Sequence, residues 1–356
     1  MYAKEGRPAR TTTPAPAYRA LAAGVLFSVA YTAVIWLLAD RLADIPHAGD
    51  AGASWYYWKL IDPTLASRLT AWGFYLLHQV AFWAVIFYAQ RTIGRGTPRY
   101  SGSLRLANGL ALGVNGFFIA LRVVQTHLWY DGLAQDVSIW SSLGSVALML
   151  VWVLLMENPR RGLFFGKKIG FPKRVISVAR RYHGYYFAWA TVYTLWYHPT
   201  EATSGHLIGF LYMFLLLLQG SLFFTRAHVN RWWTLFLEVS VLAHGTLVAI
   251  MQGEGMWPMF AFGFGGIFVI TQMHGLRWPR WVRGLVLAAY VAGVLAVYGA
   301  LGWERLAEVV RIPFIDYAAV FALAGLIGGV LGVIRLIRPT AGEGTTAVPS
   351  RERQSV

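Results

Sequence analysis

The feature that most constrains this chain is a repeated one: long apolar stretches, each bounded by polar or basic residues. They lie at about 18–39, 69–90, 104–129, 137–156, 182–197, 206–225, 229–251, 257–273, 282–300 and 314–337. A helix needs about 20 residues to cross the hydrocarbon core of a bilayer. Most of the stretches meet that length; the fifth is short. Hydrophobic residues make up 57% and charged residues 13% of the 356, which leaves too little polar surface to clothe a soluble globule. The expected fold is an all-α, polytopic membrane helix bundle of about ten transmembrane helices. Residues 1–17 form a polar arm before this domain of 18–338, and 339–356 form a tail with the composition of a disordered segment. No small-residue cleavage motif follows the first stretch, so it reads as a retained helix and not as a signal peptide.

Lys and Arg in the short connections set the orientation of such a bundle. Of the 31 in this chain, Arg41, Lys59, Arg68, Arg305 and Arg311 fall on one side and Arg122 falls inside a stretch. The others lie in connections on the side of the two chain ends. Both ends are therefore expected in the cytoplasm, and the protein in the cell (inner) membrane. The formal net charge of +15 resides in these flanking clusters and lines no continuous face, which argues for membrane lipids and against nucleic acid as partners. Segment 166–181, with Lys167, Lys168, Lys173 and Arg174 among Ile, Phe and Val, has the pattern of an interfacial amphipathic helix. On the same side, Arg180, Arg181, His183, Arg226 and His228 are candidates for holding an anionic lipid headgroup.

The densest chemistry lies on the opposite side. Between Tyr197 and His206 the chain carries His198, Glu201 and His206; between Arg122 and Asp136 it carries His127, Asp131 and Asp136. His127 and Asp131 are four residues apart at a helix end and share a face. Pro199 and Gly205 allow the chain to turn and bring His198 and His206 together. His127, His198 and His206 are thus candidate ligands of a divalent metal, Zn, Mn or Fe. With Asp131, Asp136 and Glu201 the same histidines suit metal-free acid/base catalysis or substrate binding, or plain structural hydrogen bonding. No H-E-x-x-H spacing is present.

Inside the stretches, polar and ionisable groups are costly in hydrocarbon and mark an interior or a function. They include Arg122, His78, Glu238 and His244, with Gln219 at a depth that makes it the expected partner of Glu238. His78 and His244 lie at similar depth and are candidate axial ligands of a b-type haem. Glu238 and His244 also sketch a proton relay, although i, i+6 spacing sets them roughly 120° and about 9 Å apart. These residues place helices two to eight around the interior and one, nine and ten against lipid. Ser138, Ser141, Ser142 and Ser145 form a small-residue face on the fourth helix suited to close packing. Trp55, Tyr56, Tyr57, Trp129, Trp232 and Trp257 read as interfacial anchors.

Several chemistries are excluded. The chain has no cysteine, which removes disulfides and thiolate sites. No lysine falls within a stretch to form a retinal Schiff base, and no P-loop, G-x-S-x-G elbow or dinucleotide fingerprint occurs. The leading expectation is a membrane enzyme acting on a lipid or other membrane-soluble substrate at a His/acid site open to the outer face. The alternatives are a small-molecule transporter, proton-coupled through Glu238, and a b-type haem electron carrier.

Overall fold

The computed structural model describes residues 15–49, 58–93 and 100–337. The polar arm (apart from residues 15–17), the tail at 339–356 and the anchors Trp55, Tyr56 and Tyr57 lie outside the described residues. Within them are ten α-helices and no strand: α1 (Pro16–Leu37), α2 (Leu65–Thr92), α3 (Leu106–Trp129), α4 (Ile139–Arg161), α5 (Lys173–Tyr197), α6 (Ser204–Ser221), α7 (Arg231–Met251), α8 (Trp257–Ile270), α9 (Arg280–Leu301) and α10 (Glu308–Ile337). Each apolar stretch has become a helix. All but α5 and α8 are both long and apolar enough to cross a membrane. Large apolar side chains point outward around the bundle, among them Leu26 at 71%, Trp281 at 72% and Leu336 at 82% exposure. In water a belt of that extent would drive association; in a multi-pass membrane protein it faces lipid.

The fifth helix departs from expectation. Its apolar half is the predicted short stretch, but the helix starts earlier, at Lys173, and absorbs the end of the basic segment. No separate interfacial helix forms at 166–181. The reason is local: Asn158 near the end of α4 bonds both the N–H and the C=O of Ile169 at 2.9 and 2.8 Å. Between them Leu163 and Lys167 close a tight turn, with Gly162 and Gly166 at φ +78 and +82. The chain is thereby held non-helical until Pro172, whose fixed φ of −55 is suited to starting a helix.

This long α5 is the axis of the bundle. Its Val192 and Trp196 pack with Phe82 of α2, Phe118 of α3 and Phe214 of α6 in one core. Its Val175, Ile176 and Ala179 pack with Leu154 of α4, Ile267 of α8 and Val320 of α10 in a second. A helix so covered by protein can keep polar residues that a lipid-facing helix cannot. The serine face of α4 meets α5 as expected, with Ser142 and Ser145 buried and Ser141 Oγ 2.6 Å from the Tyr193 hydroxyl.

One helix departs from the role the sequence suggests. α10, expected against lipid, buries Asp316, Tyr317, Val320 and Leu323 against its neighbours. α7 packs on α6 and α8 and carries Glu238, its side chain 9% exposed, against α4. α1 and α9 bury few residues, as expected.

Candidate functional site

The end of the bundle where the basic connections gather is called here the basic end, and the other the far end. At the far end, α3 stops where Tyr130 adopts φ 36. Two residues later Gly132 passes so close to α5 that a Cβ would lie 2.4 Å from the Tyr197 carbonyl oxygen. α5 stops because Pro199 forces His198 into extended backbone, φ −102 and ψ 144. Arg122, fully buried, lies between the two loops. Its Nη1 donates to the Asp131 carbonyl at 2.9 Å and to Gln125, its Nη2 donates to the His198 carbonyl, and the guanidinium stacks 5.1 Å from the Trp196 ring. Carbonyls at a helix end have no partner in the helix, and this arginine supplies one to each loop.

The far-end acids are held in the same way. Asp131 accepts from Arg68 at 3.1 Å, Ser67 at 3.2 Å and its neighbour Gly132 N–H at 2.7 Å. Asp136 pairs with Arg68 and accepts from Trp72 Nε1 at 2.7 Å. Glu201 accepts from the Tyr130 hydroxyl at 2.5 Å, and His47 Nε2 lies 2.7 Å from that same oxygen. His127 turns toward α1, with Nδ1 donating to the Val123 carbonyl at 2.8 Å and Nε2 3.4 Å from the Leu38 carbonyl.

The expected metal trio is therefore corrected. Among the described residues no three His, Asp or Glu side chains are placed to hold a metal ion, because His127 faces a different helix and the acids are committed elsewhere. His198 and His206 do approach, edge to face with ring centroids 5.2 Å apart. The third imidazole is His244 of α7, within electrostatic reach of both. It lies over Gly209, where a Cβ would come within 2.7 Å of its Nε2. Thr203 Oγ1 is 2.8 Å from His206 Nδ1, and Trp58 packs edge-on to His206 at 4.4 Å. Desolvation, with His206 and Arg122 adding to it, holds the His198 imidazole well below its ordinary range, so it is neutral at pH 7.

His78, the other haem candidate, is a knot between helices. Its Nε2 bonds Asn115 Oδ1 at 2.9 Å, its Nδ1 accepts from Trp196 Nε1 at 3.2 Å, and the ring stacks on Phe118 at 4.4 Å. Asn115 continues to Ser221 Oγ at 2.8 Å. Both ring nitrogens are engaged, so binding iron would require breaking this network.

At the basic end His183 and His228 approach to 6.4 Å between rings, and the expected headgroup residues make these contacts. Arg180 donates from Nε and Nη2 to the Met156 carbonyl at 3.1 and 2.7 Å, capping α4. Arg181 lies over the Tyr182 ring at 5.6 Å, and Arg226 is exposed. His183 Nδ1 bonds the Arg180 carbonyl and His228 Nδ1 the Gln219 carbonyl, at 2.8 and 2.9 Å. Gln219 does not meet Glu238 as expected; its amide accepts from Trp233 Nε1 at 2.7 Å and donates to the His228 carbonyl at 3.0 Å. Glu238 pairs instead with Arg161 at 2.6 Å, the side chains 9% and 1% exposed. In the sequence Arg161 is one more connection-end charge, with nothing to mark it as buried. Asp316 was legible as an acid inside the tenth stretch and was passed over.

No family model matches this chain, and no curated protein or solved structure matches it either. Function thus rests on two groups, the three imidazoles toward the far end and the Arg161–Glu238 pair toward the basic end. The first can accept and pass a proton. The second is a buried ion pair, each member of which depends on the other's charge.

Proposed function

We propose that the protein is a proton-coupled carrier of a small solute, set in the cell membrane with its basic end inside, and that α7 is its moving element. One observation carries the reading: a single helix, α7, bears an ionisable group at each of the two clusters, His244 within electrostatic reach of His198 and His206, and Glu238 paired with Arg161. A displacement of this one helix would move both groups together. The six-position spacing of its two ionisable groups sets them about 9 Å apart along the helix and on different faces. That separation serves a continuous proton wire poorly and suits alternate exposure, in which the helix moves and each group meets its own side. His198, His206 and His244 stand close enough that a proton on one opposes a second on the others by like-charge repulsion. The fold-level basis is the multi-pass bundle with its apolar spans.

A second reading is favoured by the Thr203–His206 contact of 2.8 Å, a hydroxyl beside an imidazole as in nucleophilic catalysis. It would make the far end the site of an enzyme acting on a lipid or other membrane-soluble substrate. The same oxygen also caps α6 by accepting from His206 N–H at 3.3 Å, a role that needs no reaction.

Because the chain has no cysteine, single cysteines at Thr234 and Thr246 report the exposure of α7 directly. In oriented vesicles treated with a membrane-impermeant maleimide, Thr246→Cys is expected to change the side from which it labels between neutral and acidic pH. Glu238→Gln is expected to fix one pattern. Labelling from one side at both pH values, unaffected by Glu238→Gln, would overturn the carrier reading. Loss of a lipid-modifying activity in His206→Asn would establish the enzyme.

A further inference from the structure

The Arg161–Glu238 pair forms part of the wall of a hollow at the basic end, between α4, the start of α7 and the turn Gln272–Leu276 that follows α8. Arg161 is 3% exposed and its Nη1 holds Glu238, but its Nε and Nη2 have no hydrogen-bond partner. Buried guanidinium donors without acceptors are costly, and an acceptor entering the hollow would relieve that cost. Arg160 and Arg231 line the same hollow with Gln272, and Glu238 is the one acid among its lining residues. Arg160 already pairs with Glu157, whereas Arg231 is exposed with its charge over the Trp232 ring at 5.2 Å. With Arg160 balanced by Glu157 and Arg161 by Glu238, the Arg231 charge and the two unpartnered Arg161 nitrogens favour an anion, and the planar fork matches phosphate oxygens.

The hollow does not end there. A second one shares Glu238 and Gln272 with it and continues between α4, α7 and α8, lined by Leu150, Leu242, Phe264 and Phe268. From Arg231 to Leu242 the course along α7 is about 16 Å, from the membrane surface toward hydrocarbon. A free anion would have no use for the apolar part. We infer that this paired hollow is a binding site for a phosphate-bearing anionic lipid, its phosphate on Arg161 and Arg231 and its acyl chain along the α7–α8 groove. Both hollows are too tight to admit even a water-sized sphere, so entry requires α7 to move outward from α4 and α8. The site is distinct from Arg180, Arg181, His183, Arg226 and His228, and it stands whether or not the protein is a carrier.

Native mass spectrometry on the detergent-solubilised full chain, titrated with phosphatidic acid, tests it. One tightly held lipid is expected. Arg231→Ala should weaken that binding about tenfold, the loss of one charge-assisted contact. The paired change Arg161→Gln with Glu238→Gln, which leaves no buried charge without its counter-charge, should weaken it at least as much. Leu242→Trp, which fills the groove, should weaken it with the arginines intact. Unchanged lipid binding in Arg231→Ala and in the paired variant would overturn the proposal. So would inorganic phosphate competing as well as the lipid does, since that would make the site one for a free anion.

Discussion

The two ends of the bundle use buried charge in opposite ways. At the far end the charged side chains are matched, although the buried Thr200 hydroxyl is not: Asp131 and Asp136 share Arg68, Glu201 takes the Tyr130 hydroxyl, and Arg122 divides its donors between two loops. At the basic end Arg161 holds one carboxylate and keeps two guanidinium nitrogens without an acceptor. A closed network fixes a structure, whereas an incomplete one is a standing cost that a ligand can remove. The acids that stand out in the sequence, Asp131, Asp136 and Glu201, are thus engaged with the framework around them. An arginine that looks like a topological anchor has the free valence. Density of functional groups marks where chemistry is possible, and satisfaction of their hydrogen bonds decides which of them remain available for it.

The sharpest way to break this contrast is to cut each end at its central arginine contact. Arg122→Ala removes the donors of two loop carbonyls and Gln125 at once, and a loss of about 3–5 kcal/mol is expected, the range for breaking a buried charged network. Thermal unfolding in detergent should show a large drop in Tm or no folded protein. Arg122→Lys should rescue little, because an ammonium cannot span both carbonyls as a fork does. At the basic end Glu238→Ala leaves Arg161 without its counter-charge and is expected to cost about 3 kcal/mol, while the paired Arg161→Gln, Glu238→Gln change should cost no more than about 1 kcal/mol. If the paired change proves as damaging as Arg122→Ala, the basic end is scaffolding too and the contrast fails.

A smaller effect tests whether the far end is as closed as its hydrogen bonds imply. A methyl group at Gly132 would overlap the Tyr197 carbonyl. Gly132→Ala should destabilise by about 2 kcal/mol, within the range for overpacking a tight contact, and the measurement is again Tm. No change would mean that the α3–α4 and α5–α6 loops slide freely past each other. This contact also shows where sequence reasoning stops. The helices were legible because membrane insertion imposes long apolar runs, and nothing softer competes with that demand. The approach of His198 to His206 was legible from Pro199 and Gly205. The departure of His127 was not, since its partners are the carbonyls of Val123 and Leu38, and backbone acceptors leave no trace in composition. Nor was the joining of His244, which depends on Gly209 leaving room for the ring across a helix pair. The partner of Glu238 was misassigned for a similar reason: Gln219 matched it in depth, but its amide was already taken by Trp233 and His228.

The smallest expected effect concerns proton uptake at the basic end. His228 sits outside the spans with its Nδ1–H on the Gln219 carbonyl, and its ring is 6.4 Å from that of His183. Desolvation, with His183 adding to it, lowers its pKa from 6.5 to about 4. Between those values the unfolded chain binds a proton that the folded chain refuses, so the stabilisation from His228 is complete above pH 6.5 and declines as the pH falls toward 4. Melting temperature in detergent should therefore fall by a few degrees across that window. His198, also lowered, contributes to the same slope from the far end. His228→Asn separates the two, because an asparagine amide can replace the Nδ1 donor to Gln219 but carries no titrating group. Its Tm should match the parent near neutral pH and decline less steeply below it. A slope that His228→Asn leaves unchanged would assign the whole pH response to the far-end imidazoles, and the basic end would then respond to ligand charge but not to protons.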